Sequence, residues 1–364
     1  MATEQILDCP LDQVPDGPEY IEAAMRWHFS PETGSPFWLE RARTLGFDPR
    51  EDVRTLDDLR RFPNVANELR DVRVDDLIPR GYGADADVVG VYESGGTTGP
   101  PKRVVLLRDW MDRLAHRTEL DLRARGYPEG GHWLYLGPTG PHILGEMVRR
   151  QAARRGGIRF TIDIDPRWVK RCIAENRCDE AERYAEHLID QSAHILRSQD
   201  VRVLVTTPPL LTRLARRDAL VDLINSKIAA ISWSGASMDP DTRYLLRTEV
   251  FPGVKLYGTY GSTMILGGVP ERVTAPDEDI VIFDTFSPYI MFSVVDRETG
   301  EAVRYGDRGQ VVMHHVSKSF LLPNNLERDL ATCVAPPPGQ MGDSVAEVGP
   351  LPVFDDQPVI EGVY

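Results

Sequence analysis

The chain predicts an α/β architecture with largely parallel sheets, joined to a smaller antiparallel sheet or open barrel. From residue 88 to about 285, apolar runs of strand length alternate with amphipathic stretches of helix length, the pattern of βαβ units. From about 280 the helical stretches stop, and short apolar runs follow one another across turns such as Arg297-Glu298-Thr299-Gly300 and Tyr305-Gly306-Asp307-Arg308-Gly309. Before residue 88 the chain reads as helix and loop, anchored by Trp27, Phe29, Phe37, Trp38 and Phe47. The expected organisation is a helical part at 1–87, α/β subdomains at 88–200 and 201–279, and a β subdomain with its tail at 280–364.

Strand candidates in chain order are 88–93, 103–107, 132–136, 158–162, 201–206, 228–233 and 254–257. Helix candidates between them are 109–125, 142–155, 178–199, 208–217 and 239–249. Asp109 and Asp239 are predicted N-caps, the second followed by Pro240, whose fixed φ suits a first helical position. The later strand candidates are 279–283, 289–296 and 310–316; beyond Leu330 the chain is rich in Pro, Gly and acids, and no Lys or Arg follows Arg328.

Composition narrows the function classes. At 364 residues, 41% hydrophobic and 27% charged, the chain can bury a substantial core as a globular protein. No run of about 18 apolar residues occurs, and the acidic N-terminus lacks the apolar core of a secretory signal. A net charge of −14 argues against non-specific binding to nucleic acid or anionic membranes, and a cytoplasmic enzyme is expected. Cys9, Cys172, Cys178 and Cys333 lack Cys-x-x-Cys spacing and read as free thiols. No metal site is expected: His314 and His315 alternate faces of one strand, and His187 and His194 read as structural.

Residues 94–102, Ser-Gly-Gly-Thr-Thr-Gly-Pro-Pro-Lys, carry the strongest chemical signal. Gly95, Gly96 and Gly99 let a backbone present N–H groups to an anion, Ser94, Thr97 and Thr98 add hydroxyls, and Lys102 adds charge. Lysine is scarce elsewhere: only Lys170, Lys227, Lys255 and Lys318. Flanking apolar runs make the segment the loop of a strand–loop–strand unit. It is not a Walker A loop, because two prolines separate Gly99 from Lys102 and a strand comes next instead of a helix. Taken alone, it also fits an unliganded Gly/Thr hairpin.

Two further segments end strands in small residues. Leu256-Tyr257-Gly258-Thr259-Tyr260-Gly261-Ser262-Thr263 runs into an aromatic turn. Tyr260 suits stacking on a purine, and Ser262 and Thr263 suit hydrogen bonds to a phosphate or carboxyl. Ile231-Ser232-Trp233 leads into Ser234-Gly235-Ala236-Ser237, where small side chains admit a flat ring. In open α/β sheets, ligands bind off the carboxyl ends of strands.

In this order the segments resemble the ANL superfamily of adenylate-forming enzymes, over roughly residues 80 to 345. Ser94–Lys102 matches its phosphate-loop pattern, (Ser/Thr)-x-Gly-(Thr/Ser)-Thr-Gly-x-Pro-Lys, at every specified position. Gly235-Ala236-Ser237 resembles the adenine-side segment, and Tyr257–Thr263 the Tyr-Gly-x-Thr motif. Gly137–His142 falls where the family has an acyl-pocket segment, and Gly309-Gln310-Val311-Val312 resembles its Gly-Glu-Leu strand. Asp329 falls near the ribose-binding Asp, with Asp343 in reserve.

The resemblance implies an adenylate-forming large-domain fold and activation of a carboxylic acid as acyl-AMP. It gives Lys102, Thr263 and His142 catalytic roles beside the phosphates and the carboxylate. It gives Ser94–Gly99, Gly235–Ser237, Tyr257, Gly258, Tyr260, Gly261, Ser262, Thr263 and Asp329 to ATP and its AMP product. Met264 stands where the family has a magnesium-side Glu, which leaves Mg2+ handling open. The family's C-terminal lid domain, with its catalytic Lys, is expected to be absent. In this the chain resembles the short members typified by the bioluminescence acyl-protein synthetase and the phenazine-tailoring proteins of the griseoluteic acid type. The implied substrate is an aromatic acid, such as a phenazine carboxylate, with Trp133, Tyr135 and Trp233 near the pocket segments. Implied partners are a downstream reductase or acyl-acceptor protein and a second copy of the chain; Cys333 is a candidate acyl acceptor. The competing expectation is a degenerate adenylation fold that binds an acid or nucleotide without turnover.

Overall fold

In the computed structural model, residues 5–94, 100–273, 280–354 and 357–358 are described; Gly95, Gly96, Thr97, Thr98 and Gly99 lie outside them. The N-terminal helices are α1 (Gly17–Phe29), α2 (Pro36–Ala42) and α3 (Pro49–Asp52), joined to the first strand by short 3-10 turns. Each starts at a polar cap whose side chain accepts a backbone N–H: Asp16, Ser35 and Asp48. The hairpin strands β1 (Val88–Ser94) and β2 (Lys102–Leu107) come next, then α4 (Arg108–Ala124). Alternation continues with β3 (His132–Leu136), α5 (Ile143–Arg154), β4 (Arg159–Ile162), α6 (Pro166–Ala174), α7 (Cys178–Ser198), β5 (Val201–Thr206), α8 (Pro208–Ala215), α9 (Asp218–Lys227), β6 (Ala230–Trp233), α10 (Pro240–Leu245) and β7 (Lys255–Ser262). The remaining elements are strands: β8 (Gly267–Pro270), β9 (Ile282–Phe283), β10 (Ile290–Val295), β11 (Arg308–Val316), β12 (Leu321–Val334), β13 (Ser344–Pro350), β14 (Val353–Phe354) and β15 (Gln357–Pro358).

The chain divides into two compact units. The first comprises 1–117, 262–269 and 284–348, and the second 118–261, 270–283 and 349–364. In the second unit, β4-β3-β5-β6-β7 form consecutive strands of one sheet, parallel at every pairing. Strands on both sides of residue 200 therefore share a sheet. Burial of Trp133, Leu134, Val203, Leu204 and Ile231 explains their near-continuous apolar sequence, as expected of strands covered on both faces. In the first unit, β10 pairs with β11 and β11 with β12, both antiparallel. No helix among the described residues is long and apolar enough to cross a membrane.

The α/β class and the antiparallel C-terminal sheet agree with the sequence expectation. Several particulars differ. Asp109 is not an N-cap: α4 begins one residue earlier, and the Asp109 carboxylate accepts the N–H of Trp110 at 2.7 Å from within the first turn. α10 stops at Leu245 and passes into a π turn, Leu246–Val250. β7 runs to Ser262, so the aromatic segment expected as a turn is strand. α6, α9, β12 and β13 occur where no element was expected.

Candidate functional site

In the second unit the parallel register aligns the carboxyl ends of the strands. Leu136 lies opposite Thr206, Thr206 opposite Trp233, and Trp233 opposite Gly258. The segments leaving those ends are Gly137–His142, Thr207, Ser234–Ser237 and Thr259–Gly261. This edge brings His142, Gly235, Ala236, Ser237, Tyr257, Gly258, Tyr260 and Gly261 to one end of one sheet.

Local chemistry explains the small residues. Gly235 has φ +81, a conformation that an L side chain resists. At Gly258 a Cβ would lie 2.4 Å from Cζ2 of Trp233, so the indole occupies the side-chain space of the glycine. Asp239 caps α10 by accepting the N–H of Thr242 at 2.9 Å, which fixes the exit of the 234–238 segment. His142 is the N-cap residue of α5 and caps it with no side-chain hydrogen bond; its own N–H donates to Gly140 O at 2.7 Å. The Tyr260 ring packs on Phe283, with centroids 5.5 Å apart. Thr206 Oγ1 and Trp233 Nε1, both buried at this edge, have no hydrogen-bond partner among the described residues.

Gly258 is gripped by a residue that sequence reasoning missed. Glu271 takes the Gly258 N–H on Oε2 at 2.8 Å, and its own N–H donates to Gly258 O at 3.0 Å. Its Oε1 accepts from Arg243 of α10 at 2.9 Å, and its carbonyl accepts from Arg125. Burial raises the Glu271 pKa from the usual carboxylate range, against the lowering effect of Arg243. The available signal was a lone carboxylate ending the apolar run from Ile265 to Pro270.

In the first unit, Ser94 and Lys102 are opposite partners in the last pair of the β1–β2 hairpin before the chain passes into the segment that begins with Gly95. One pair inward, Arg103 Nε donates to Glu93 at 3.0 Å. Ser262 Oγ accepts the N–H of Met264 at 3.2 Å and caps the turn Thr263–Ile265. Met264 is 3% exposed, and its thioether is no ligand for a hard cation. Among the described residues, no group of three His, Cys, Asp or Glu could hold a metal.

Asp329 lies on β12 in a bulge. Gln310 pairs with Leu330 and Val312 with Leu326, so Glu327, Arg328 and Asp329 oppose Val311 alone. The Gln310 amide donates to Glu327 O at 2.7 Å within this bulge. Asp343 is occupied otherwise, accepting the Val294 N–H at 2.9 Å. Cys333 is corrected as an acyl acceptor: it is 1% exposed, and burial together with Asp343 pushes its thiol up to about 12, the opposite of a nucleophile. His314 and His315 are buried and hydrogen-bonded within the first unit. His314 Nδ1 accepts the N–H of Asn324 at 3.1 Å, and His315 bonds Ile265 O and Ser317 Oγ.

No family model matches the chain, and no curated protein matches it. Solved structures do. A 2-hydroxyisobutyryl-CoA ligase in complex with 2-HIB-AMP and CoA, in the thioesterification state, aligns with TM-score 0.66 and 16% identity over 94% of this chain and 69% of that chain. The same ligase in the postadenylation state with R3-HIB-AMP gives TM-score 0.62 and 15% identity over 90% of this chain and 65% of that chain. An open conformation gives TM-score 0.58 and 14% identity over 92% and 73%. At such identities the likeness establishes the fold alone, the α/β fold of that 2-hydroxyisobutyryl-CoA ligase.

Proposed function

We propose, from the adenylate-forming fold, that this chain activates a carboxylic acid with ATP as an acyl-adenylate. A carboxylate oxygen attacks the α-phosphorus, the bond to the bridging oxygen of the β-phosphate breaks, and pyrophosphate leaves. The observation that carries the reading is the Ser94–Lys102 strand pair, which sets a hydroxyl opposite a lysine at the two chain ends flanking the Gly95–Gly99 sequence, in a chain of this fold. Lys102 and the loop take the β- and γ-phosphates, Thr263 the α-phosphate, Gly235–Ser237 and Tyr260 the adenine, and Asp329 the ribose hydroxyls. His142 lies beside the carboxylate. Positioning and charge stabilisation supply most of the rate enhancement in such a transfer.

The finer reading is an aromatic acid, a phenazine carboxylate by resemblance, delivered to a reductase or acyl-acceptor protein. Trp233 and Tyr135 at the carboxyl edge of the sheet support an aryl substrate, and the Trp233 N–H and Thr206 hydroxyl, without a hydrogen-bond partner among the described residues, support a polar substituent on it. No metal ligand is assigned to Met264.

Acid-dependent pyrophosphate–ATP exchange over a panel of aryl and fatty acids tests the proposal. Exchange with an aryl acid is expected, falling about 100-fold or more in Lys102→Ala, the scale of losing one charge-stabilising donor. Binding of acid with no exchange would favour a second reading, a nucleotide or acid binder without turnover, which the buried Met264 supports.

A further inference from the structure

We propose that Glu271, held by Arg243, is a positioning residue for the nucleotide. This role rests on the adenylating reading of the chain.

Among the described residues, the carboxylate contacts of Glu271 lead to the segments assigned to adenine or to the helix that follows them. Its carboxylate and its own N–H both engage Gly258, at 2.8 and 3.0 Å, so the residue holds both main-chain polar groups of one position in β7. Alternation along a strand puts Gly258 and Tyr260 on one face. Glu271 also forms an antiparallel bridge with Phe283. The Phe283 ring packs on Tyr260 at 5.5 Å and on Trp233 at 6.3 Å. From the other side, Arg243 reaches Glu271 from α10, the helix that Asp239 caps directly after Gly235-Ala236-Ser237. One carboxylate thus ties the strand carrying Tyr260 to the helix that ends the Gly-Ala segment. Arg125 adds a second cation at the Glu271 carbonyl, and its guanidinium lies 5.6 Å over the Tyr257 ring.

A buried pair made only for stability has no reason to converge on Gly258. Gly258 cannot carry a side chain, because the Trp233 indole fills that space. Its alignment is therefore set through the main chain, which is what Glu271 grips. Glu271 is 2% exposed and Arg243 5%, so solvent does not compete for either bond.

Steady-state exchange kinetics and ATP titration test the role. In Glu271→Ala, KM and Kd for ATP are expected to rise about tenfold to a hundredfold, as for a misplacement of about 1 Å, with KM for the acid unchanged. Glu271→Gln keeps an oxygen acceptor for the Gly258 N–H and is expected to restore most of the ATP affinity. Should Glu271→Ala fail to fold, the double variant Arg243→Met/Glu271→Leu, which removes the buried charge pair and the Gly258 acceptor together, is compared with Arg243→Met/Glu271→Gln, which removes the charges and keeps the acceptor. Amide exchange at Gly258 is expected to quicken in step with the loss of affinity. Unchanged ATP affinity in the variant that lacks the Gly258 acceptor (Glu271→Ala or Arg243→Met/Glu271→Leu), with wild type binding ATP, overturns the positioning role alone. Wild type that binds no ATP overturns the functional reading, and the role with it.

Discussion

The two units bury different kinds of polar side chain. Among the described residues, the first unit buries His28, His314 and His315, while the second buries Arg125, Arg155 and Arg243 together with Glu271. A histidine can be buried neutral against neutral groups: His28 Nε2 meets Ser317 O at 2.7 Å and His315 Nδ1 meets Ile265 O at 2.6 Å. An arginine cannot shed its proton. Arg155 therefore meets Glu119 at 2.7 Å and the carbonyls of Tyr127 and Pro128, and Arg243 meets Glu271. A proton threatens the first arrangement, and the loss of a partner threatens the second.

Acid is the largest lever on this contrast. Burial lowers the pKa of His28 from 6.5 to about 4 and those of His314 and His315 to about 3. The folded state then binds fewer protons than the unfolded chain below pH 6.5. Stability is full above that value and is lost as pH falls toward the folded values. Between pH 7 and 5 each histidine removes about 2 kcal/mol, hence about 6 kcal/mol for the three. Glu271 and Asp343, raised by burial, act in the opposite sense. Amide exchange at pH 5 is expected to open 308–334 in the first unit before 201–206 in the second. The reverse order would break the comparison.

Deleting a partner comes next. Glu271→Ala removes the carboxylate that the buried Arg243 meets at 2.9 Å, and removing one member of such a pair costs about 3–5 kcal/mol. Arg243→Met/Glu271→Gln removes both charges and keeps an acceptor for Gly258, so urea unfolding should place it well above the single variant. A double no more stable than the single would mean that packing, not charge, dominates there.

The same contrast separates what was legible in the sequence from what was not. Local patterns were: a strand candidate at 132–136 and another at 201–206 coincide with β3 and β5, and the Asp239-Pro240 start signal with α10. The same signal at Asp165-Pro166 starts α6, yet its apolar periodicity, carried by Val169 and Cys172, is too short to stand out. β12 was missed because its Asn-Asn-Leu-Glu-Arg-Asp stretch is polar for a strand; a bulge and the Gln310 amide accommodate those residues. At the candidate site, glycines and aromatics on strand ends could be read from their spacing. Glu271 and Arg243 could not, because their roles depend on contacts across 28 residues of sequence.

The smallest expected effect lies on the surface of the second unit. Arg213 and Arg217 meet Glu182, Glu186 and Asp190 across α7, α8 and the start of α9, the chemistry of Arg243 and Glu271 in an exposed setting. The Arg217 side chain is 33% exposed and that of Asp190 67%, against 6% and 3% for Arg243 and Glu271. Water solvates the exposed charges whether or not they pair, and salt screens them, so an exposed pair contributes about 0–1 kcal/mol. Arg217→Ala should lower the urea midpoint slightly at low ionic strength and hardly at all at about 1 M salt, where the Debye length is about 3 Å. A loss as large as that of Glu271→Ala, persisting in salt, would mean that the ladder acts as a network and that exposure does not divide the two kinds of arginine.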